Sequence, residues 1–140
     1  MKFLTQAYRQ NCLLNLNKPQ MLLNDFFHII EKKETENELI FDVKINKSHQ
    51  IFEGHFPEQP IAPGVCLAQM VKEVCEQQLA NDLKLVSARN MKFMAILDPN
   101  KDEFVSIYVK IKEDEGIYSV KAHCSSKETL FFKIDAKYQF

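Results

Sequence analysis

The chain has 140 residues, 46% hydrophobic and 26% charged, which is enough for one domain over 1–140 with a single buried core. Eighteen basic against nineteen acidic residues give a net charge of −1, so nothing drives it globally toward nucleic acid or an anionic membrane. No apolar run approaches the roughly 20 residues a bilayer span needs. The opening MKFLTQAYRQ reaches Gln6 and Arg9 before a signal-peptide core could form. A cytoplasmic protein without a membrane span is expected. Cys12, Cys66, Cys75 and Cys124 show no CxxC spacing and no histidine companions, so neither a metal site nor a redox motif is indicated, and buried thiols are expected.

Residues Phe3 to Leu16 suit a short helix, ended by Lys18-Pro19. From Met21 the stretch MLLNDFFHIIEKK reads as a strand, and Glu36-Asn37 as a turn. ELIFDVKIN then sets Leu39, Phe41, Val43 and Ile45 on one face, and the two stretches form an antiparallel hairpin. A loop rich in proline and glycine follows. Next comes a helix from about Gly64 to Ala80, with Leu67, Ala68, Val71, Val74, Cys75 and Leu79 at helical spacing. Its other stripe carries Gln69, Glu73, Glu76 and Gln77.

After Asn81-Asp82 come strands over Lys84–Leu97, Phe104–Lys112, Ile117–Cys124 and Thr129–Tyr138. Turns fall at Pro99–Asp102 and Glu113–Gly116. Two strands, one long helix and about four more strands imply an α+β domain, an antiparallel sheet with the helix on one face. Open edges and a partly apolar outer face imply an oligomer.

The loop between hairpin and helix is the unusual stretch. FEGHFPEQPIAPGV holds two of the chain's three glycines and three of its five prolines. Fixed φ angles at Pro57, Pro60 and Pro63 stiffen it. A stiff loop carrying His55 to a helix start suits a catalytic site, and equally an ordinary well-built turn.

Gly54-His55-Phe56-Pro57, Pro60-Ile61 and Pro63-Gly64-Val65 resemble the GHFPxxPxxPGV signature of hot-dog fold 3-hydroxyacyl-[acyl-carrier-protein] dehydratases. More weakly, Pro19–Leu23, Arg89–Phe93 and Asp98-Pro99 resemble flanking segments of that family. The resemblance implies a curved sheet wrapped around one central helix and a homodimer or higher oligomer with its site between subunits. It implies no cofactor and no metal. It also implies roles. His55 takes the proton beside the thioester carbonyl, and the Gly64 and Val65 amides face that carbonyl. A helix carboxylate helps the β-hydroxyl leave as water.

That carboxylate belongs five residues after Gly64, where this chain has Gln69; four residues on, where the family commonly has Gln, stands Glu73. The two are neighbours on one helical face. An amide can orient a hydroxyl but cannot give up a proton as a carboxylic acid can, and losing a general acid costs about 10²- to 10⁴-fold. Glu73 could act as the acid from one turn away. Gln69 could instead mark a weakened enzyme, or a subunit whose partner supplies the carboxylate. Glu73 could also simply continue a solvated stripe.

A hot-dog thioesterase and a non-catalytic acyl-binding subunit are the alternatives to the dehydratase. His28 and His49 lie outside any motif, and His123 and Cys124 face opposite sides of a strand. Cys66 is expected to be a buried packing residue, and the Glu31–Glu38 charges a solvated hairpin tip. Acyl carrier proteins, the partner the resemblance implies, are acidic. Arg89, Lys92 and Lys101 are the candidate docking residues.

Overall fold

The computed structural model describes residues 21–140, so the helix expected over Phe3–Leu16, Cys12 and Pro19-Gln20 lie outside the described residues. The elements are β1 (Phe27–Glu34), β2 (Leu39–Ile45), α1 (Ile51–Gly54), α2 (Gly64–Leu79), β3 (Lys84–Phe93), β4 (Phe104–Asp114), β5 (Ile117–Ser125) and β6 (Leu130–Gln139). The six strands form one antiparallel sheet in the order β1-β2-β4-β5-β6-β3. This is the hot-dog arrangement, an open sheet laid around the long helix.

Alternation decides which face is covered. Leu39, Phe41, Val43 and Ile45 on β2 are buried, as are Val105, Ile107 and Val109 on β4 and Val120, Ala122 and Cys124 on β5. These side chains share the face that meets α2. The outer face between them carries Lys110, Lys121 and Lys133, so a period of two separates core from solvent. The β4–β5 connection is a two-residue turn with Glu115 at φ 48° and Gly116 at φ 83°. Positive φ at both positions makes it a type I′ turn, whose twist matches the flanking strands.

Two expectations change. The strand expected from Met21 begins only at Phe27. The Leu22 carbonyl accepts hydrogen bonds from the Asp25, Phe26 and Phe27 amides, and Asn24 adopts φ 70°, so residues 21–26 fold as a turn. The polar stripe of α2 is also not a solvated one. Glu73 is fully buried and Glu76 is 4% exposed, alongside Cys66, Met70, Val71 and Val74. A helix covered on so many sides is a central helix, and its polar groups need internal partners. At its far end Ala80 takes a left-handed conformation and its amide bonds the Glu76 carbonyl, one residue before the expected stop.

The sheet's two edges differ. β1 carries Glu31, Lys32, Lys33 and Glu34. All ten residues of β3 are exposed, including Leu85, Val86, Met91 and Phe93. β3 lies beside β6 rather than β4, so after the helix only β4, β5 and β6 are neighbours in chain order.

Met70 has no exposed surface and lies where helix meets sheet. Met70→Ala is expected to destabilise the fold by about 2–5 kcal/mol, read as a lower urea midpoint with an unchanged m-value.

Candidate active site

The loop before α2 is held at both ends. The Ile61 amide donates to the His55 carbonyl at 2.9 Å, and the Ala62 amide donates to the Leu97 carbonyl at 2.8 Å. Within this frame His55 Nδ1 lies 3.0 Å from the Ile61 carbonyl oxygen. A carbonyl can only accept, so Nδ1 carries a proton, and in the neutral ring the lone pair is on Nε2. The ring stacks on Phe56 at 4.3 Å between centroids. A neutral imidazole with a bare Nε2, fixed in orientation, is the form a general base requires.

Pro63 opens α2 without a side-chain cap. Its carbonyl accepts from the Cys66 amide at 2.9 Å and the Leu67 amide at 3.3 Å. Among the described residues, the Gly64 and Val65 amides form no hydrogen bond. Two unpaired donors at the positive end of a helix favour developing negative charge on an oxygen. Gly64 is required here by space rather than by φ. A Cβ on it would stand 2.5 Å from Phe93 Cε1.

Glu73 lies deeper. Its Oε1 accepts from the Met21, Leu22 and Leu23 amides at 2.9, 2.9 and 3.0 Å, and its Oε2 from Leu22 at 3.2 Å. Burial raises its pKa above the usual carboxylate range, while these amides and the neighbouring Gln69 pull it back. Gln69 stands beside the carboxylate, and its buried Nε2 has no hydrogen-bond partner among the described residues. The carboxylate thus ties the turn over residues 21–26 to the middle of α2. No sequence pattern announced that role, because its partners are backbone amides fifty residues away. Glu76 accepts from the Leu83 amide at 2.8 Å, and burial raises its pKa too.

The other candidates are placed apart. The Cys66 thiol is buried and pushed up to about 12, chiefly by burial and then by the nearby Glu73, so it is inert as a nucleophile. Cys75 and Cys124 are likewise buried and free. His49 accepts from the Ile51 amide through Nδ1 at 3.0 Å and pairs with Asp25 through Nε2 at 3.1 Å, a structural role. His123 stacks on Tyr108 on the outer face at 4.5 Å. Arg89, Lys92 and Lys101 are all exposed, and Lys92 pairs across the β3–β6 ladder with Lys133. Among the described residues no group of histidine, cysteine, aspartate and glutamate has the geometry of a metal site, and no helix is long and apolar enough to cross a membrane.

The family model described as "ApeI-like: ApeI dehydratase" matches residues 31–131. The chain belongs to the ApeI-like dehydratase family. It is similar to the 3-hydroxyacyl-[acyl-carrier-protein] dehydratase FabZ of Rhizobium etli, 35% identical over 95 residues, 63% of this chain and 58% of that protein. The chain therefore matches well under two thirds of that relative's length. The FabZ of Thermotoga neapolitana is 27% identical over 105 residues, covering 72% of this chain and 76% of the relative. In fold the chain is similar to "The Dehydratase Heterocomplex ApeI:P from Xenorhabdus doucetiae", with a TM-score of 0.59 at 22% identity over 81% of this chain and 97% of that one. A phenylacetic acid degradation-related protein of Ralstonia eutropha, described as a candidate thioesterase, gives 0.56 at 11% identity over 79% and 83%. At these identities the structures speak for the fold.

Glu73→Ala leaves the Met21, Leu22 and Leu23 amides without their acceptor, and about 1–3 kcal/mol is expected for each that stays dry. A denaturant titration reads this directly. Raised folded-state pKa values for Glu73 and Glu76 also fix a pH trend. Between the unfolded and folded values the native state holds more protons, so their contribution to stability falls as pH rises through the folded pKa. Lowering the pH from neutral toward about 4.5 is expected to raise the denaturation midpoint, and Glu76→Gln to reduce that rise.

Proposed function

We propose that this chain dehydrates 3-hydroxyacyl thioesters held on an acyl carrier protein to trans-2-enoyl thioesters, in fatty acid or related acyl-chain synthesis. The observation that carries the reading is the hydrogen bond from His55 Nδ1 to Ile61 O, because it leaves Nε2 of the neutral ring as the base in the loop that leads into the unpaired amides of Gly64 and Val65. The relatives named FabZ and the ApeI-like family support the same class of reaction.

In this reading His55 Nε2 takes the proton from C2, and the electron pair forms the C2–C3 double bond as the C3–O bond breaks. Charge building on the thioester oxygen is met by the two helix amides. The departing hydroxyl takes a proton and leaves as water. Gln69 orients that hydroxyl. Glu73 is the donor within this helix. Its Oε2 is the less engaged oxygen, and burial favours its neutral form. A second reading is favoured by Gln69 itself, which stands where the family's carboxylate belongs. A different subunit would supply the acid in a mixed assembly, as the name of the Xenorhabdus heterocomplex suggests for that protein.

The second reading calls for a partner subunit, and β3 offers it a place. Its long, exposed edge carries Leu85, Val86, Met91 and Phe93 among its residues, where a second subunit's strand can add. Charge complementarity makes Arg89, Lys92 and Lys101 the docking residues for an acidic carrier protein in this reading, and Lys133 lies opposite Lys92 across the β3–β6 ladder.

The test is incubation of the purified protein with a short 3-hydroxyacyl thioester while following enoyl absorbance and free thiol. Enoyl product that disappears in His55→Ala is expected; free thiol without enoyl product would make it a thioesterase, and binding without turnover an acyl-binding subunit. Glu73→Gln, with folding checked in parallel, should lower turnover about 10²- to 10⁴-fold. Unchanged turnover removes Glu73 as the acid. Enhanced turnover in Gln69→Glu would favour the partner-supplied carboxylate.

A further inference from the structure

Phe93 ends β3 and lies against the first residue of α2. A Cβ built on Gly64 would stand 2.5, 2.9 and 3.0 Å from its Cε1, Cζ and Cδ1 atoms. The ring is therefore in contact with the Gly64 Cα, directly beside the two unpaired amides. It is not a core side chain, since 53% of its surface is exposed. It nonetheless has support. One side rests on the buried Phe132 with centroids 5.0 Å apart, and the strand end is held by the Met94 amide donating to the Phe131 carbonyl at 2.8 Å. The His55 loop is tied to the same segment through the Ala62–Leu97 hydrogen bond of 2.8 Å. The loop of the base, the amides and the ring are thus joined through neighbouring backbone.

We infer that Phe93 is a specificity-determining residue which, by occupying the space beside the Gly64 and Val65 amides, restricts the site to acyl thioesters unbranched at C2. The inference rests on the reading that these amides receive the thioester carbonyl. Of the two atoms attached to that carbonyl carbon, sulfur is the same in every thioester. Discrimination by a neighbouring wall therefore falls on C2. A methyl group there competes with the ring for the volume that a glycine at position 64 already had to vacate. One methyl group in an apolar pocket commonly changes recognition by about 10- to 200-fold. A wall backed on one side by Phe132 acts in this range.

The experiment measures equilibrium binding of butanoyl and 2-methylbutanoyl thioesters of N-acetylcysteamine. Neither has a 3-hydroxyl, so neither can be dehydrated. The wild-type protein is expected to bind the unbranched thioester at least about 10-fold more tightly, and Phe93→Ala to remove most of that preference, with Phe93→Leu between them. Equal affinities in the wild type, no binding of either thioester, or an unchanged ratio in both variants would overturn the inference. Gly64→Ala should lower the thermal midpoint and Gly64→Ala/Phe93→Ala should recover it; recovery confirms the ring as the wall, and its failure counts against it. Dehydration of 3-hydroxybutanoyl thioester by the wild type is measured alongside. Turnover with an unchanged ratio sinks the inference and spares the proposed function. A ratio that responds to Phe93 without turnover does the reverse.

Discussion

The structure depends on a helix that is buried on too many sides to remain purely apolar. One side of α2 meets the sheet, and another is crossed by the turn over residues 21–26. Glu73 sits at that crossing, where three consecutive amides converge on one carboxylate. The arrangement answers two needs at once. The amides gain the acceptor that an irregular segment packed on a helix otherwise lacks, and the carboxylate gains donors in a place where its charge is disfavoured. Fixing α2 in this way also fixes its first turn, and with it the amides of Gly64 and Val65.

The helix start is built by subtraction. Pro63 caps α2 without offering a side chain, and Gly64 brings no Cβ to the crowded space beside Phe93. What remains is a pair of backbone donors and an aromatic wall. The histidine loop is joined to this corner by its own backbone hydrogen bonds, and the imidazole is oriented by the Ile61 carbonyl and by stacking on Phe56. Such a site is sensitive to anything that moves the loop.

Much of this was legible in the chain. Period-two alternation gave β2 and β4 their inner faces, and the Glu113–Gly116 stretch gave the turn, because each signal is local. The glycine and proline spacing from Gly54 to Val65 marked the loop and its family. What escaped was long-range. Glu73 and Glu76 carry charges at helical spacing, which reads as a solvated stripe unless one knows what packs over them. Met21–Phe26 carries apolar and aromatic residues, which reads as a strand unless one knows that distant Glu73 captures its first amides. Gly64 looked like a helix-start glycine, and only the ring of Phe93 reveals why a side chain is excluded.

The difference between the sheet's edges has a consequence for how far an assembly can grow. β1 presents Glu31, Lys32, Lys33 and Glu34 and a register shift between Ile29 and Glu31, features that discourage another strand from adding. β3 has register shifts of its own and carries Lys84, Arg89 and Lys92, yet it also exposes Leu85, Val86, Met91 and Phe93. Under the proposed pairing, a symmetric contact through β3 covers these apolar side chains in both copies and leaves the β1 edges outward. Association of that kind would be self-limiting, because the surface that invites a second chain is consumed by the first one that arrives.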